Sequence, residues 1–340
     1  MAASNNTYAS SGVNIAAGQQ AVDLMAHAVR STYNTQVLAG IGAFGGLYDA
    51  AMLKQMAAPV LVASTDGVGT KTKVAAQLGR WDTIGRDLVH HCINDILVQG
   101  ADPLFFMDYV ASSKLDTAQI ATVVIGVAEA CRDNRCVLLG GETAEMPGVY
   151  EAGEIDLAGT IIGAVERSRI VDGSRIVPGN VILGLPSSGL HTNGYSLARR
   201  VLADLDWQSR LDGEVSIGDA LMAVHRCYLQ DVHRLWAAGI DIRGMAHITG
   251  GGFIDNLPRI LPAGTAAIIE SGAWPEPPIF KLIQEHGQID RSEMFHVFNM
   301  GLGLLIVVPA DQVQLAVHAL ESGACLVGRI TSGDRAVTIR

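Results

Sequence analysis

Twice in this chain an apolar run rich in β-branched residues gives way to acids, hydroxyls and glycines, and no other feature restricts the possible folds as strongly. Residues 60–64 lead into Thr65, Asp66, Gly67, Val68, Gly69, Thr70 and Lys71, and residues 137–139 lead into Gly140, Gly141, Glu142, Thr143, Ala144, Glu145, Met146, Pro147 and Gly148. A short apolar run of this kind reads as a buried strand, which needs helices to cover it. The segment leaving the strand then offers a carboxylate for a metal ion, bare backbone N–H groups and one cation, Lys71, a set suited to a polyphosphate. Taken alone, the first of these turns is also what an ordinary strand-to-helix connection with an Asx cap looks like.

Strands and helices alternate around these runs. Periodicity predicts an irregular arm over residues 1–18, a helix over 19–30, a glycine-rich loop over 40–46, and a helix over 83–99 with Asp82 as its cap and Gly100 closing it. Strands are expected at residues 104–110 and 157–165, and a helix at 117–132. The polar stretch 166–180, containing Pro178 and Gly179, is the expected boundary. Beyond it come strands at 181–185, 266–269 and 303–308 and helices at 193–205, 219–238 and 311–321. The reading is an α/β chain with α+β character in two domains, residues 1–170 and 171–340.

Composition narrows the class. With 49% hydrophobic residues the 340-residue chain has ample core material. The five cysteines are odd in number and form no C-x-x-C pair, so neither a disulfide framework nor a zinc cluster is expected. A formal net charge of −10, with no basic run, argues against nucleic acid as a partner. No apolar stretch reaches the ~20 residues of a membrane span, and the polar start lacks signal-peptide character, so a cytoplasmic protein without membrane partners is expected. Glycine, 38 of 340 residues, exceeds the usual share of about 7% and clusters, which points to turns and ligand loops.

Several constellations carry chemistry. Gly40, Gly42 and Gly45 match G-x-G-x-x-G, but the stretch before them is a poor buried parallel strand, so a phosphate-covering loop is favoured over a dinucleotide fold. Asp87, His91 and Asp95 are four apart on the helix over 83–99, with Asn94 beside Asp95, so one polar face can supply Asp95 as a second metal carboxylate to Asp66. A solvated helix face is the plain alternative. The segment holding Glu142 reads as a tight substrate or nucleotide loop. Residues 187–194 carry Ser188, His191 and Asn193 between a strand and a helix start, where a substrate phosphate fits. Thr249, Gly250, Gly251 and Gly252 offer a backbone anion nest or a flexible joint. His225 and His233, expected on one helix, lack metal spacing and read as structural.

Residues 65–71, Asn94 with Asp95, residues 99–106, 140–148, 187–196 and 249–253, in this order and across nearly the whole chain, resemble the phosphoribosylformylglycinamidine cyclo-ligases, the aminoimidazole ribonucleotide synthetases of purine biosynthesis. The resemblance implies an N-terminal sheet domain that dimerises into a shared barrel, a C-terminal domain of mixed sheet and helices, ATP and Mg²⁺ as cofactors, and a homodimer acting on a small phosphorylated substrate. Such an enzyme phosphorylates the formyl amide oxygen of formylglycinamidine ribonucleotide. The ribose-bearing amidine nitrogen then closes the ring, and ADP and phosphate leave. Matching positions imply catalytic roles for Lys71, Asn94, Glu142 and His191. They imply nucleotide contacts from Gly42, Gly45, Gly46, Asp66, Gly67, Gly69, Thr70 and Asp95, and Asp66 and Asp95 as the metal ligands. Ser188, His191, Asn193, Thr249, Gly250 and Gly251 are implied to hold substrate. The alternatives are another ATP-dependent phosphotransferase of the superfamily or a nucleotide-binding, non-catalytic homologue. The arm departs from the family pattern at Ser10, Ser11 and Asn14, and the segment 24–27 lacks the usual basic character.

Overall fold

The computed structural model describes residues 15–213, 215–321 and 323–340. The departures at Ser10, Ser11 and Asn14 lie outside them. The chain divides into two compact units, one formed by residues up to Cys92 with Asp102–Glu166, the other by Ile93–Ala101 with Arg167–Arg340. Mixed sheets and helices build both.

In the first unit a hairpin of β1 (Val37–Ala39) and β2 (Leu47–Tyr48) precedes a four-stranded sheet. Its strands are β3 (Pro59–Gly67), β4 (Asp102–Ser112), β5 (Val137–Glu145) and β6 (Ile155–Glu166), in the order β3-β6-β4-β5. Only β4 and β5 run parallel, and the helix Thr117–Asp133 makes the crossover between them. That helix starts because the Asp116 carboxylate accepts from the N–H groups of Ala118 and Gln119. The strand period of two splits the sheet into two faces. Val62, Ile161 and Phe106 turn to the buried side, while Leu61, Ala63, Thr65 and Met107 are exposed on the other.

The segment 140–145 corrects the expectation of a loop. It continues β5, pairing from Met107↔Gly140 to Ser112↔Glu145. The first helix occupies Ile15–Arg30 and so takes in residues 15–18, which were expected to be irregular. The helix expected over 83–99 spans Ile84–Leu97, with the Thr83 carbonyl, not Asp82, taking the first helical bond from Asp87 N–H.

The second unit holds a six-stranded sheet, β12-β9-β11-β7-β10-β8, built from β7 (Val181–Pro186), β8 (Gly244–His247), β9 (Thr265–Ile269), β10 (Leu302–Val308), β11 (Cys325–Ser332) and β12 (Val337–Ile339). Only β12 with β9 is parallel. Every residue of β10 is buried, as its unbroken apolar run requires. The expected helix over 219–238 is two helices, Ile217–Met222 and Leu229–Ala237, with an extended break between them. The expected helix over 193–205 shortens to Tyr195–Val201.

Candidate active site

In the first unit the glycine-rich segment is the loop of the β1–β2 hairpin, which excludes the dinucleotide reading because that motif needs a strand followed by a helix. The loop is anchored where Ile41 N–H donates to the Tyr33 hydroxyl at 2.7 Å. Gly46 has no room for a side chain, since a Cβ there would sit 2.3 Å from Leu139 Cγ. Gly45, by contrast, faces open space. Gly42, Gly45, Gly46 and Glu142 line one cavity of about 790 Å³, walled by Met25, Val29, Val124, Leu138 and Leu139. That is one of the larger ligand volumes.

The same cavity contains a residue that alternation alone did not single out. Asp108, midway along β4, lies in the cross-strand row Asp66–Gly159–Asp108–Gly141. Its carboxylate packs over Gly141, where a Cβ would be 2.0 Å from Asp108 Oδ1. Burial pushes its pKa up to about 7, with only its own backbone N–H opposing the shift. An acid set between Met107 and Tyr109, in the middle of the strand expected at 104–110, was the available signal.

Asp66 ends β3. Its Oδ1 accepts from the Gly67 N–H at 2.7 Å, and its Oδ2 lies 2.8 Å from His91 Nε2. The Gly67 N–H is therefore already engaged. Gly69 adopts the left-handed conformation, and Thr70 directly precedes the helix Lys71–Leu78 without a side-chain cap bond. Lys71 corrects an expectation. It is not a mobile cation at the loop, because its side chain and that of Asp87 are both fully buried and meet at 2.8 Å. Desolvation lowers the Lys71 pKa, while the adjacent Asp87 charge opposes that. An unpaired ammonium is too costly to bury, so the pair forms as a unit.

The second unit gathers a different group around the break at residues 223–228. Asn94 donates from Nδ2 to the Arg226 carbonyl at 2.8 Å and accepts from Tyr228 N–H at 3.0 Å. Ser188 Oγ donates to the Val224 carbonyl. These side chains take over backbone groups that a continuous helix would satisfy internally, which is why the helix stops. Asn94 is thus a fully buried clamp on this segment.

The break brings His225 into the site, correcting its assignment to a helix beside His233. Its Nδ1 lies 3.2 Å from Thr192 Oγ1, its Nε2 lies 3.0 Å from His247 Nε2, and His247 Nδ1 lies 2.9 Å from Asp95 Oδ1. With Asp95 ionised, His247 donates from Nδ1, which fixes the ring. His191 stacks on His225 with centroids 4.0 Å apart, and its Nε2 accepts from Ser188 N–H at 3.2 Å. His191 holds a left-handed φ of 63°, a strained conformation for a histidine. Sequence reading named His225 but took it as structural, and it missed His247, which stands two residues before Thr249 and so close to a recognised motif.

Thr249, Gly250 and Gly251 form no flexible joint. Asn256 Nδ2 donates to the carbonyls of Thr249, Gly250 and Gly252, at 3.3, 3.1 and 2.8 Å. Asn193 is brought against this turn, its Oδ1 3.3 Å from where a Gly250 Cβ would stand. Ser188, His191, Asn193, Thr249, Gly250 and Gly251 therefore occupy one region of the second unit.

Family models match both halves of the chain. "AIR synthase related protein, N-terminal domain" matches residues 48–165 and "AIR synthase related protein, C-terminal domain" matches residues 177–340. A phosphoribosylformylglycinamidine cyclo-ligase of Anaeromyxobacter sp. (strain K) is 50% identical over 333 residues, 96% of each chain. Those of Gloeobacter violaceus and Paraburkholderia phymatum are 51% and 48% identical, covering 90% and 95% of this chain and 90% and 91% of theirs. Among solved structures, the hydrogenase maturation protein HypE in complex with ATP aligns with a TM-score of 0.70 at 20% identity, over 96% of this chain and 91% of its own. Thiamine-monophosphate kinase from Stenotrophomonas maltophilia K279a aligns with 0.66 at 18%, over 94% and 95%. At these identities the last two show a shared fold.

Proposed function

Because the chain belongs to the phosphoribosylformylglycinamidine cyclo-ligase family, carbon–nitrogen ligases of purine biosynthesis, we propose that it binds ATP in the glycine-lined cavity of the first unit and spends it on activating an amide oxygen. The observation that carries this reading is that cavity, where Gly42, Gly45, Gly46 and Glu142 meet beside apolar walls. Backbone N–H groups without side chains suit phosphate, and apolar walls suit a purine. A structural neighbour described in complex with ATP supports it.

The amide oxygen of formylglycinamidine ribonucleotide is a poor leaving group until phosphorylated. Transfer of the γ-phosphoryl group onto it releases ADP. The ribose-bearing amidine nitrogen then forms a bond to the activated carbon, phosphate departs with the C–O bond, and a proton is lost to give 5-aminoimidazole ribonucleotide. Closure is intramolecular, so the protein's task is to hold the folded pose. In this reading His191, Asn193, Ser188 and the Thr249–Gly251 turn hold substrate, and the rigidity of the Asn256 clamp keeps that turn in place.

Magnesium fits the donors present in each unit. Asp66 and Asp95 are both partly solvent-exposed carboxylates, and each is oriented by an imidazole on one oxygen, His91 for Asp66 and His247 for Asp95. Oxygen donors of this kind suit a hard cation, whose chemistry when bound is to neutralise charge on the transferred phosphoryl group. Lys71 acts through Asp87 rather than as a phosphate partner, holding the start of its helix.

We read the chain as a cytoplasmic homodimer. The outer face of the first sheet aligns Leu61, Ala63, Thr65 and Met107 with Ile162, Phe105 and Tyr109, and Leu61 is 60% exposed. A sheet face that leaves Leu61 and Met107 exposed calls for a cover, and a second copy supplies one. Among the described residues no helix is long and apolar enough to cross a membrane. ADP release measured with formylglycinamidine ribonucleotide, against a control lacking it, tests the proposal; turnover independent of that substrate would reject it.

A further inference from the structure

We propose that Asp108 is the base-reading residue of the cavity, its carboxylate accepting a hydrogen bond from the 6-amino group of an adenine nucleotide. The inference rests on the reading of this cavity as the ATP site and adds which protein group tells one purine from another.

Four observations place it there. Asp108 lines the cavity together with the glycine loop. Its carboxylate has no ion pair and no hydrogen bond to another residue among the described ones. The cavity lining supplies apolar walls, Val124, Leu138 and Leu139 among them, along with the carboxylates of Glu142 and Glu145. Finally, Gly141 and Gly159 flank it in the cross-strand row, and Gly141 leaves the carboxyl the space it occupies.

Those surroundings decide which end of the nucleotide it meets. The bare backbone N–H groups of the glycine loop suit the triphosphate, whereas the buried Asp108 carboxyl, with no cation against it, repels phosphate. The flat, uncharged base belongs between the apolar walls, and there a lone acceptor finds an amino donor. Burial that raises the pKa of Asp108 to about 7 reports the same low-polarity setting. When ionised, the carboxylate sets an acceptor against the 6-oxo group of a 6-oxo purine, which can pair only by shifting to present its N1–H, and that misfit is the ground for discrimination.

The test compares ATP, ITP and 2′-deoxy-ATP, each with magnesium, by calorimetry on the full chain and on Asp108→Asn. ITP carries an oxo group in place of the 6-amino group and a proton on N1, and the titrations are run at about pH 8.5, where the Asp108 carboxyl is ionised. The wild-type chain is expected to bind ATP about 10- to 100-fold more tightly than ITP, the worth of one charge-assisted hydrogen bond. Asp108→Asn can donate to the oxo group and should bring the two within about 3-fold of each other. An ATP to ITP ratio unchanged in the variant overturns the assignment while leaving ATP binding intact. A penalty for 2′-deoxy-ATP that disappears in the variant, with the base ratio untouched, gives Asp108 to the ribose and also overturns it. Should the variant fail to fold, parity of ATP and ITP in the wild type overturns the assignment by itself. Absence of ATP binding to the wild type would instead reject the reading of the cavity.

Discussion

Asp108→Asn has a second consequence, measurable without any ligand. The Asp108 carboxyl has an ordinary pKa of 3.8 and is raised to about 7 in the folded chain, by burial above all. The folded protein therefore keeps a proton that the unfolded chain gives up. Its stabilising contribution is complete below the unfolded value and is lost as pH rises through about 7. The whole shift would be worth about 4 kcal/mol at ~1.4 kcal/mol per unit. The carboxyl is half-buried by surface area, so solvent screens it, and about 2 kcal/mol is the working figure. Asparagine keeps the shape and does not titrate. Between about pH 5 and about pH 8 the variant should gain roughly 1.5 kcal/mol on the wild type, or about 3–6 °C in the melting temperature of a unit of this size. Differential scanning calorimetry of both proteins at the two pH values reads it directly. A stability difference that is the same at both would show that the carboxyl is not ionising in a poorly solvated place, and the electrostatic reasoning about the cavity would fail with it.

Other perturbations reach the remaining parts of the structure. Lys71→Met leaves the Asp87 charge buried and unpaired, so urea denaturation should show a loss of about 3–5 kcal/mol, most of it recovered in the double variant Lys71→Met, Asp87→Leu; equal losses in both would mean the pair is not the cause. Asn94→Ala strips partners from the Arg226 carbonyl and the Tyr228 N–H, and about 2 kcal/mol of stability should go, with faster hydrogen exchange at Tyr228. Unchanged protection at Tyr228 would contradict the clamp. Leu61→Asp places a charge on the open face of the first sheet and should convert a dimer to monomers in light scattering; an unaltered mass would move the interface elsewhere. Asp66→Asn should lower turnover on the order of 100-fold while circular dichroism stays the same, and near-normal turnover would take Asp66 out of the metal role.

Much of the first unit was legible because its strands are apolar runs and its helices carry apolar residues at helical spacing. Residues 104–110 and 157–165 are strands within β4 and β6, and Asp116 caps the helix after β4 through its own side chain. The stretch from Gly140 to Glu145 was not legible, since glycines and acids favour a turn locally. Pairing with β4 along six residues outweighs that preference. The helix over 219–238 failed for the opposite reason: its periodicity is good, and side chains from distant positions, Asn94 and Ser188, capture the backbone in its middle.

The chemistry divides along the same line. Local sequence alone determined where the apolar strands lie and that glycines, acids and hydroxyls gather toward their C-terminal ends, because φ preference, hydrogen-bonding capacity and hydrophobic period are properties of neighbouring residues. Only the tertiary structure decided that Lys71 is locked to Asp87, that His225 and His247 stand in a row with Asp95, and that Asp108 faces a cavity. Each of those depends on burial and on partners from 16 to 152 residues away, and the free energy of a charge is set by what surrounds it in space, which no local window of sequence contains.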